Sequence, residues 1–91
     1  MYYVYLILCT DESIYTGMTS DPERRFIEHV QKSGGRYTKL HKPIQMKRVE
    51  EFGTKLDALR RERQIKGWRR EKKLNLIKFG HPNSRPRNHY I

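Results

Sequence analysis

The apolar run from residues 2 to 8 constrains the fold more than any other stretch. It consists of Tyr, Val, Leu and Ile without a polar interruption, which is typical of a strand that is buried on both faces at the centre of its sheet. Turn residues follow it, and residues 14–18 have the composition of a returning strand. A β-hairpin is therefore predicted at the start of a small α+β domain.

The length of the hairpin loop decides which side chains share a face. With a loop over residues 10–12, Tyr5 opposes Gly17, and Tyr15 becomes a diagonal neighbour of Tyr5 on the same face. A loop one residue longer, without a bulge, would place the two tyrosines on opposite faces. We predict the shorter loop.

Three helices and one more strand are predicted after the hairpin. Asp21 followed by Pro22 gives an N-cap and a first helical residue, for a helix that runs to about residue 32. Ser20 with Glu23 is an alternative capping box. A third strand is predicted over residues 44–52, a second helix starts at the Thr54 cap and runs to residue 66, and a third covers residues 68–78, with Trp68, Leu74, Ile77 and Phe79 as its inward candidates.

The first predicted helix carries two polar residues beside its apolar stripe. Phe26 and Val30 are four residues apart and are expected to face the core. Arg25 and His29 have the same spacing one position round, so they flank the core without being buried in it. They are either a solvated helix edge or a functional pair.

Charge is the strongest compositional signal. The 91 residues contain 20 Lys and Arg against 10 Asp and Glu, a net charge of +10, and residues 1–20 hold no Lys or Arg at all. A basic domain of this kind attracts polyanions, which favours nucleic-acid binding over a merely soluble basic protein. One domain is expected over residues 1–80, with a disordered basic tail over residues 81–91.

Several classes of protein are disfavoured. The chain has no apolar run long enough to span a bilayer and no basic region before its first strand. The single cysteine, Cys9, cannot form an intramolecular disulfide. We therefore expect a cytoplasmic protein that does not engage a membrane.

Glu62 is the informative carboxylate. On a helical wheel it falls between Leu59 and the pair Ala58 and Ile65, within the apolar stripe. A carboxylate in such a place either pairs with a cation or holds a metal ion. Both alternatives stay open, because Lys and Arg are plentiful nearby.

Taken together, these residues resemble the GIY-YIG nuclease family, and in particular its short stand-alone bacterial members. The resemblance covers about residues 1–80. Tyr3-Val4-Tyr5 stands where the family has its first tripeptide, and Tyr15-Thr16-Gly17 stands where it has the second. Further matches follow at Thr19, Arg25, His29 and Glu62, and in the stretches 35–39 and 62–68.

The resemblance implies three antiparallel strands flanked by about three helices, with one divalent ion in a shallow groove. Glu62 would ligate Mg²⁺ or Mn²⁺, and Tyr5 would orient or deprotonate the attacking water. Tyr15 would contact the scissile phosphate or assist that proton transfer. Arg25 would neutralise phosphate charge, and His29 would serve as a hydrogen-bond partner or proton relay. A tyrosine is a poor base at neutral pH unless cations lower its pKa, and a basic, metal-containing pocket is expected to do so.

The chain also departs from the family pattern. Tyr3, Val4 and Thr16 replace a glycine and two isoleucines, which we interpret as packing changes. For the family's late polar residue the candidates are Asn75 and Asn83, and neither is well placed by spacing.

The remaining basic residues are predicted to hold the substrate. Residues 55–78 contain ten Lys or Arg and three acids, which suggests phosphate contacts without base readout. The predicted nucleic-acid contacts are Arg36, Lys39, Lys42 and Lys66. The leading hypothesis is a metal-dependent endonuclease acting on DNA rather than RNA, which is selective for DNA structure or depends on a protein partner for its specificity. A non-catalytic nucleic-acid-binding module and a basic adaptor for an acidic protein are the alternatives.

Overall fold

The predicted hairpin forms the centre and one edge of an antiparallel sheet. The computed structural model describes residues 1–31 and 42–82, and the strands within them are β1 (Tyr2–Cys9), β2 (Ile14–Thr19) and β3 (Pro43–Phe52). Their order is β2-β1-β3, so β1 is central. Val4 to Ile7 are buried on both faces, as the unbroken apolar run predicts.

The predicted register is confirmed. Tyr5 pairs with Gly17, and Ile7 pairs with Tyr15. The N–H of Cys9 donates to the carbonyl of Ser13 at 2.9 Å, which closes the loop. Glu12 adopts a left-handed conformation with a φ of 68°, as expected for a three-residue hairpin loop that ends in an αL residue.

The described residues also form three helices, α1 (Pro22–Gln31), α2 (Lys55–Lys66) and α3 (Arg70–Phe79). The first two begin where their caps predict. Asp21 accepts the N–H of Arg24 at 3.2 Å, which favours it over the alternative Ser20 box, and Thr54 accepts the N–H of Asp57 at 3.2 Å. Helix α3 begins two residues later than predicted, because Trp68 and Arg69 belong to the turn before it.

The helices cover opposite faces of the sheet, because successive residues of β1 point to opposite sides. Val4 and Leu6 pack against α2 and α3, whose buried contacts are Ala58, Ile65 and Leu76. Tyr5, Ile7 and Cys9 form the other cluster, with Phe26 of α1 packed against it. The predicted functional residues of β1 and α1 therefore share the α1 face.

The buried face of α1 is rotated from the predicted one. Val30, expected in the core, is 47% exposed, whereas His29, expected at the margin, is buried. The reason is a hydrogen bond between His29 and Tyr5, which holds the helix face that carries Phe26 and His29 on the sheet.

Of the four residues of the third helical stretch that were predicted to face the core, three do so. Trp68, Leu74 and Ile77 pack on the core as predicted, and Phe79 is 43% exposed. Leu76, which was not predicted, is fully buried.

Some predictions fall on parts of the chain that are not described. Arg36, Lys39 and Asn83 lie outside the described residues, as do Lys32 and residues 83–91 of the predicted tail. None of the helices in the described part of the chain has the length and apolarity needed to cross a lipid bilayer.

Candidate active site

Four of the predicted site residues meet on the α1 face of the sheet. Tyr5 comes from β1, Tyr15 from β2, and Arg25 and His29 from α1. The hydroxyl of Tyr5 lies 3.0 Å from Nε2 of His29 and 3.3 Å from Nε of Arg25. The ring of Tyr15 packs edge-on against His29 with 4.7 Å between centroids. The structure thus brings these four residues together.

Gly17 leaves the space that the Tyr5 ring occupies. A Cβ built on Gly17 would lie against the Tyr5 hydroxyl, 2.6 Å from Cζ of Tyr5 and 3.0 Å from Cε1 of Tyr15. Real Cβ atoms do not approach so closely, so the ring leans across β2 only because residue 17 has no side chain. The sequence reasoning gave Gly17 no role of its own, although the register that sets Tyr5 opposite Gly17 contained the signal.

The direction of the hydrogen bonds follows from the donors. An arginine Nε–H can only donate, so the Tyr5 oxygen accepts from Arg25. Nε2 of His29 accepts the hydroxyl proton of Tyr5 when the ring carries its proton on Nδ1, and it donates to the Tyr5 oxygen in the other tautomer. In the first tautomer the three residues form a chain along which a proton can pass from Tyr5 to His29.

Burial raises the pKa of Tyr5 to about 12, and the hydrogen bond from Arg25 offsets this only in part. The expected lowering of the tyrosine pKa therefore does not come from the described side chains. The hydrogen bonds of Arg25, first to Tyr5 and then to Glu28, raise the pKa of its guanidinium above the usual value. Arg25 is a permanent cation beside a phenol that stays protonated at neutral pH.

Glu28 is a member of this site that the sequence reasoning missed. Its Oε1 accepts from Nη1 of Arg25 at 3.0 Å, and its Oε2 lies 3.4 Å from Nε of Arg24. The signal was present in the spacing, because Glu28 follows the two arginines by four and three residues on one helix. Beside them opens a cleft of about 260 Å³ between the end of β2 and the start of α1, lined by Met18, Thr19, Ser20, Asp21, Arg24, Arg25 and Glu28.

Glu62 lies on α2, on the other face of the sheet, where the helix contacts both β1 and β2. Its side chain is 17% exposed, as its place within the apolar stripe predicts, and within the described residues its recorded partner is Lys66, at 3.1 Å. An ion pair with Lys66 is thus present within the described residues.

The helical wheel indicates which edge of the sheet Glu62 lies toward. At about 100° per residue, Arg61 and Glu62 fall on opposite sides of the buried Ala58. Arg61 reaches Glu50 of β3 at 2.7 Å. Glu62 is consequently on the side of α2 toward β2, the strand that carries Tyr15 and Gly17.

The other predicted residues have simpler surroundings. Lys66 is the ion-pair partner of Glu62 and remains 54% exposed, and Lys42 is exposed before β3. Asn75 donates from Nδ2 to the carbonyl of Pro82 at 3.2 Å, so its amide holds the chain that follows α3. Within residues 1–31 and 42–82, no cluster of three or more His, Cys, Asp or Glu is arranged to hold a metal ion.

Comparison with known proteins agrees with this geometry. Residues 1–75 match the model of the GIY-YIG catalytic domain. A UPF0213 protein of Staphylococcus saprophyticus is 46% identical over 79 residues, which are 87% of this chain and 96% of the relative. A UPF0213 protein of Haloquadratum walsbyi is 45% identical over 85 residues, which are 93% and 96% of the two chains.

Two solved structures share the fold. The solution NMR structure of a UPF0213 protein from Bacillus halodurans is 35% identical, with a TM-score of 0.57 over 89% of this chain and 87% of that one. The solution NMR structure of a protein from E. faecalis is also 35% identical, with a TM-score of 0.60 over 97% and 94%. With its tyrosine, arginine and histidine cluster in place, the chain belongs to the GIY-YIG family, a nuclease superfamily, and within it to the UPF0213 proteins.

Proposed function

We propose that this protein is a metal-dependent endonuclease that hydrolyses phosphodiester bonds in DNA, with a selectivity for DNA structure suited to repair or recombination. The observation that carries the proposal is the Tyr5 hydroxyl, held between Nε of Arg25 at 3.3 Å and Nε2 of His29 at 3.0 Å. This arrangement joins a proton path to a fixed cation, and hydrolysis of a phosphodiester needs both.

In this proposal Tyr5 relays a proton and does not act as a preformed phenolate base. With a pKa of about 12, its phenolate is scarce at neutral pH. The oxygen of Tyr5 therefore takes the proton of the attacking water as its own proton passes to a neutral His29. The water oxygen forms the new bond to phosphorus, the bond to the leaving oxygen breaks, and solvent protonates that oxygen.

Arg25 supports the same step from the other side. Its Nε–H donates to the Tyr5 oxygen, which stabilises charge that develops there while the proton moves. A guanidinium also matches the geometry of phosphate oxygens. In this proposal Tyr15, which packs against His29, contacts the phosphate.

Glu62 is the residue that would hold Mg²⁺ or Mn²⁺. A single carboxylate oxygen donor suits a hard cation that keeps most of its positions for water and phosphate oxygens. When bound, such an ion would polarise a phosphoryl oxygen and stabilise the leaving oxyanion. Lys66 would have to release the carboxylate, which costs little, since an ion pair with a 54% exposed lysine is weak.

Substrate binding in this proposal depends on phosphate contacts. The net charge of +10 favours a polyanion, and Arg36, Lys39, Lys42 and Lys66 are the proposed contacts. DNA is proposed as the substrate rather than RNA. A protein partner is proposed to supply further specificity.

The proposal is tested with plasmid, nicked and branched DNA, and with RNA of the same sequence, in the presence of each divalent ion. The wild type should cleave DNA, and EDTA should stop the reaction. Tyr5→Phe, Arg25→Ala and Glu62→Ala should each lose most of the activity. Equal activity in wild type and Glu62→Ala would mean that the cleavage has another source or that the site is wrong.

A non-catalytic nucleic-acid-binding module is the second candidate. The ion pair between Glu62 and Lys66 favours it, because that carboxylate is neutralised within the protein itself. Binding that weakens steeply with salt, without cleavage under any divalent ion, would support this candidate over the first.

A further inference from the structure

We propose that Glu28 is a positioning residue, which holds the guanidinium of Arg25 so that its Nε–H points at the hydroxyl of Tyr5. The inference rests on the proposed function for its catalytic consequences. Its structural content, that Glu28 fixes the orientation of Arg25, is independent of any activity.

The geometry carries this assignment. The guanidinium of Arg25 is rigid and planar, and its bonds to Tyr5 and Glu28 come from different parts of that plane. Nε lies 3.3 Å from the hydroxyl on β1, and Nη1 lies 3.0 Å from Oε1 of Glu28. A planar group anchored at two points cannot rotate about its last bond without breaking one of them.

Arg25 needs such an anchor because its side chain is 36% exposed. A partly exposed arginine samples many rotamers unless contacts select one. Glu28 is 29% exposed and is itself held, since Oε2 lies 3.4 Å from Nε of Arg24. The carboxylate therefore bridges two arginines at the wall of the cleft between β2 and α1.

Ion pairs at this helical spacing are common and individually weak, so the pair alone would not indicate a function. The sharing of Arg25 with Tyr5 does. A carboxylate also repels phosphate, so its presence beside the proposed substrate site lowers affinity for nucleic acid. Glu28 should thus favour turnover while it opposes binding, so its removal should lower kcat and should not raise KM.

The kinetic test uses Glu28→Ala and Glu28→Gln. Alanine should lower kcat by about 10- to 100-fold, the size of effect expected from a displaced catalytic group, with KM unchanged or lower. Glutamine keeps an oxygen that accepts from Nη1, so it should retain more kcat than alanine. Glu23→Gln, an exposed acid on the same helix, makes the same change in net charge and should keep the kcat of the wild type.

A double-mutant cycle separates positioning from a general effect on the helix. If Glu28 acts through Arg25, Glu28→Ala should lower kcat in the wild type and have no further effect in Arg25→Ala. Equal losses in both backgrounds would overturn the inference, and so would equal kcat in the alanine and glutamine variants.

An NMR measurement tests, without a cleavage assay, whether Glu28 holds the guanidinium of Arg25. The Nε–H signal of Arg25, identified by its absence from Arg25→Lys, should exchange slowly with water in the wild type and in Glu23→Gln. It should exchange fast in Glu28→Ala. If the wild type does not cleave nucleic acid, the proposed function fails, but this NMR test can still be made. An unchanged Nε–H exchange rate in Glu28→Ala would overturn the positioning role of Glu28 and leave the proposed function untouched.

Discussion

The phenol of Tyr5 lies over Gly17, its partner across the central pair of strands, where a Cβ would come within 2.6 Å of Cζ. The missing side chain at one position therefore defines where the hydroxyl of another can sit. From there the hydroxyl reaches both Arg25 and His29 of α1. Glycine is therefore required at position 17, in the second tripeptide, because a side chain there would displace the Tyr5 ring.

Gly17→Ala should displace the Tyr5 ring and so break its hydrogen bonds. Because the ring is rigid and buried, we expect a loss of stability of about 1–3 kcal/mol, as in other overpacked cores. Cleavage should fall by about 100-fold, since the misplacement lies at the reacting groups. Urea denaturation and initial rates of DNA cleavage measure the two effects.

Gly53→Ala is the matched control, because a Cβ there meets no atom within 4 Å. It should leave stability within about 0.5 kcal/mol of the wild type and leave cleavage unchanged. Equal effects of the two alanines would contradict the steric role of Gly17.

The raised pKa of Tyr5 makes stability depend on alkaline pH. An unfolded tyrosine ionises near pH 10, whereas the folded pKa is about 12, because burial disfavours the phenolate. The contribution of Tyr5 is therefore complete below about pH 10 and is lost as the pH rises toward 12. Between about pH 9 and pH 11, the wild type should lose about 1 kcal/mol more than Tyr5→Phe. Denaturant titrations at each pH measure the free energies of unfolding. Equal losses in the two proteins would show that the pKa of Tyr5 is not raised by folding.

The parts of the fold that could be predicted are those that local chemistry decides. An unbroken apolar run leaves β1 no place except the centre of the sheet, and the loop after it is short enough to fix the register. The starts of α1 and α2 follow from Asp21 and Thr54, whose side chains cap backbone groups only three residues away.

The parts that could not be predicted depend on contacts between distant residues. Hydrophobicity alone ranks Val30 above His29 for burial, yet His29 is buried because it bonds Tyr5, 24 residues earlier in the chain. The role of Glu28 depends likewise on Tyr5, through the shared guanidinium of Arg25. For Glu62 the helical wheel predicts the half-buried position, but it does not identify Lys66 among the nearby cations as the partner.

Glu62→Gln should abolish divalent-dependent cleavage and leave the fold nearly unchanged. The side chain is 17% exposed and its partner Lys66 is 54% exposed, so the lost ion pair should cost less than about 1 kcal/mol. Binding of DNA should persist, because the substitution removes a negative charge. Cleavage at rising Mg²⁺ and Mn²⁺, beside binding by fluorescence anisotropy, gives the measurement.

Glu71→Gln is the control for this substitution, since it removes an exposed acid from the neighbouring helix. It should keep both activity and metal dependence. Recovery of Glu62→Gln at high Mg²⁺ would show that the carboxylate is not the ligand that the ion requires.

Glu50 of β3 is bonded by Arg61 of α2 and by Arg48 of its own strand, and its loss should destabilise the fold. Its carboxylate accepts from Arg61 at 2.7 Å and from Arg48 at 2.9 Å, and its side chain is 12% exposed. Burial alone would raise the pKa of Glu50, but the bonds from Arg61 and Arg48 outweigh it and lower the pKa. Stability from this group is thus present above the unfolded value of about 4.3 and lost as the pH falls through the lower folded value. Glu50→Gln should cost about 1–3 kcal/mol at pH 7, and its free energy of unfolding should approach that of the wild type as the pH falls below the folded pKa of Glu50. Glu51→Gln, at the exposed next position, should follow the wild type throughout. A cost that does not change as the pH falls would contradict the charged role of Glu50.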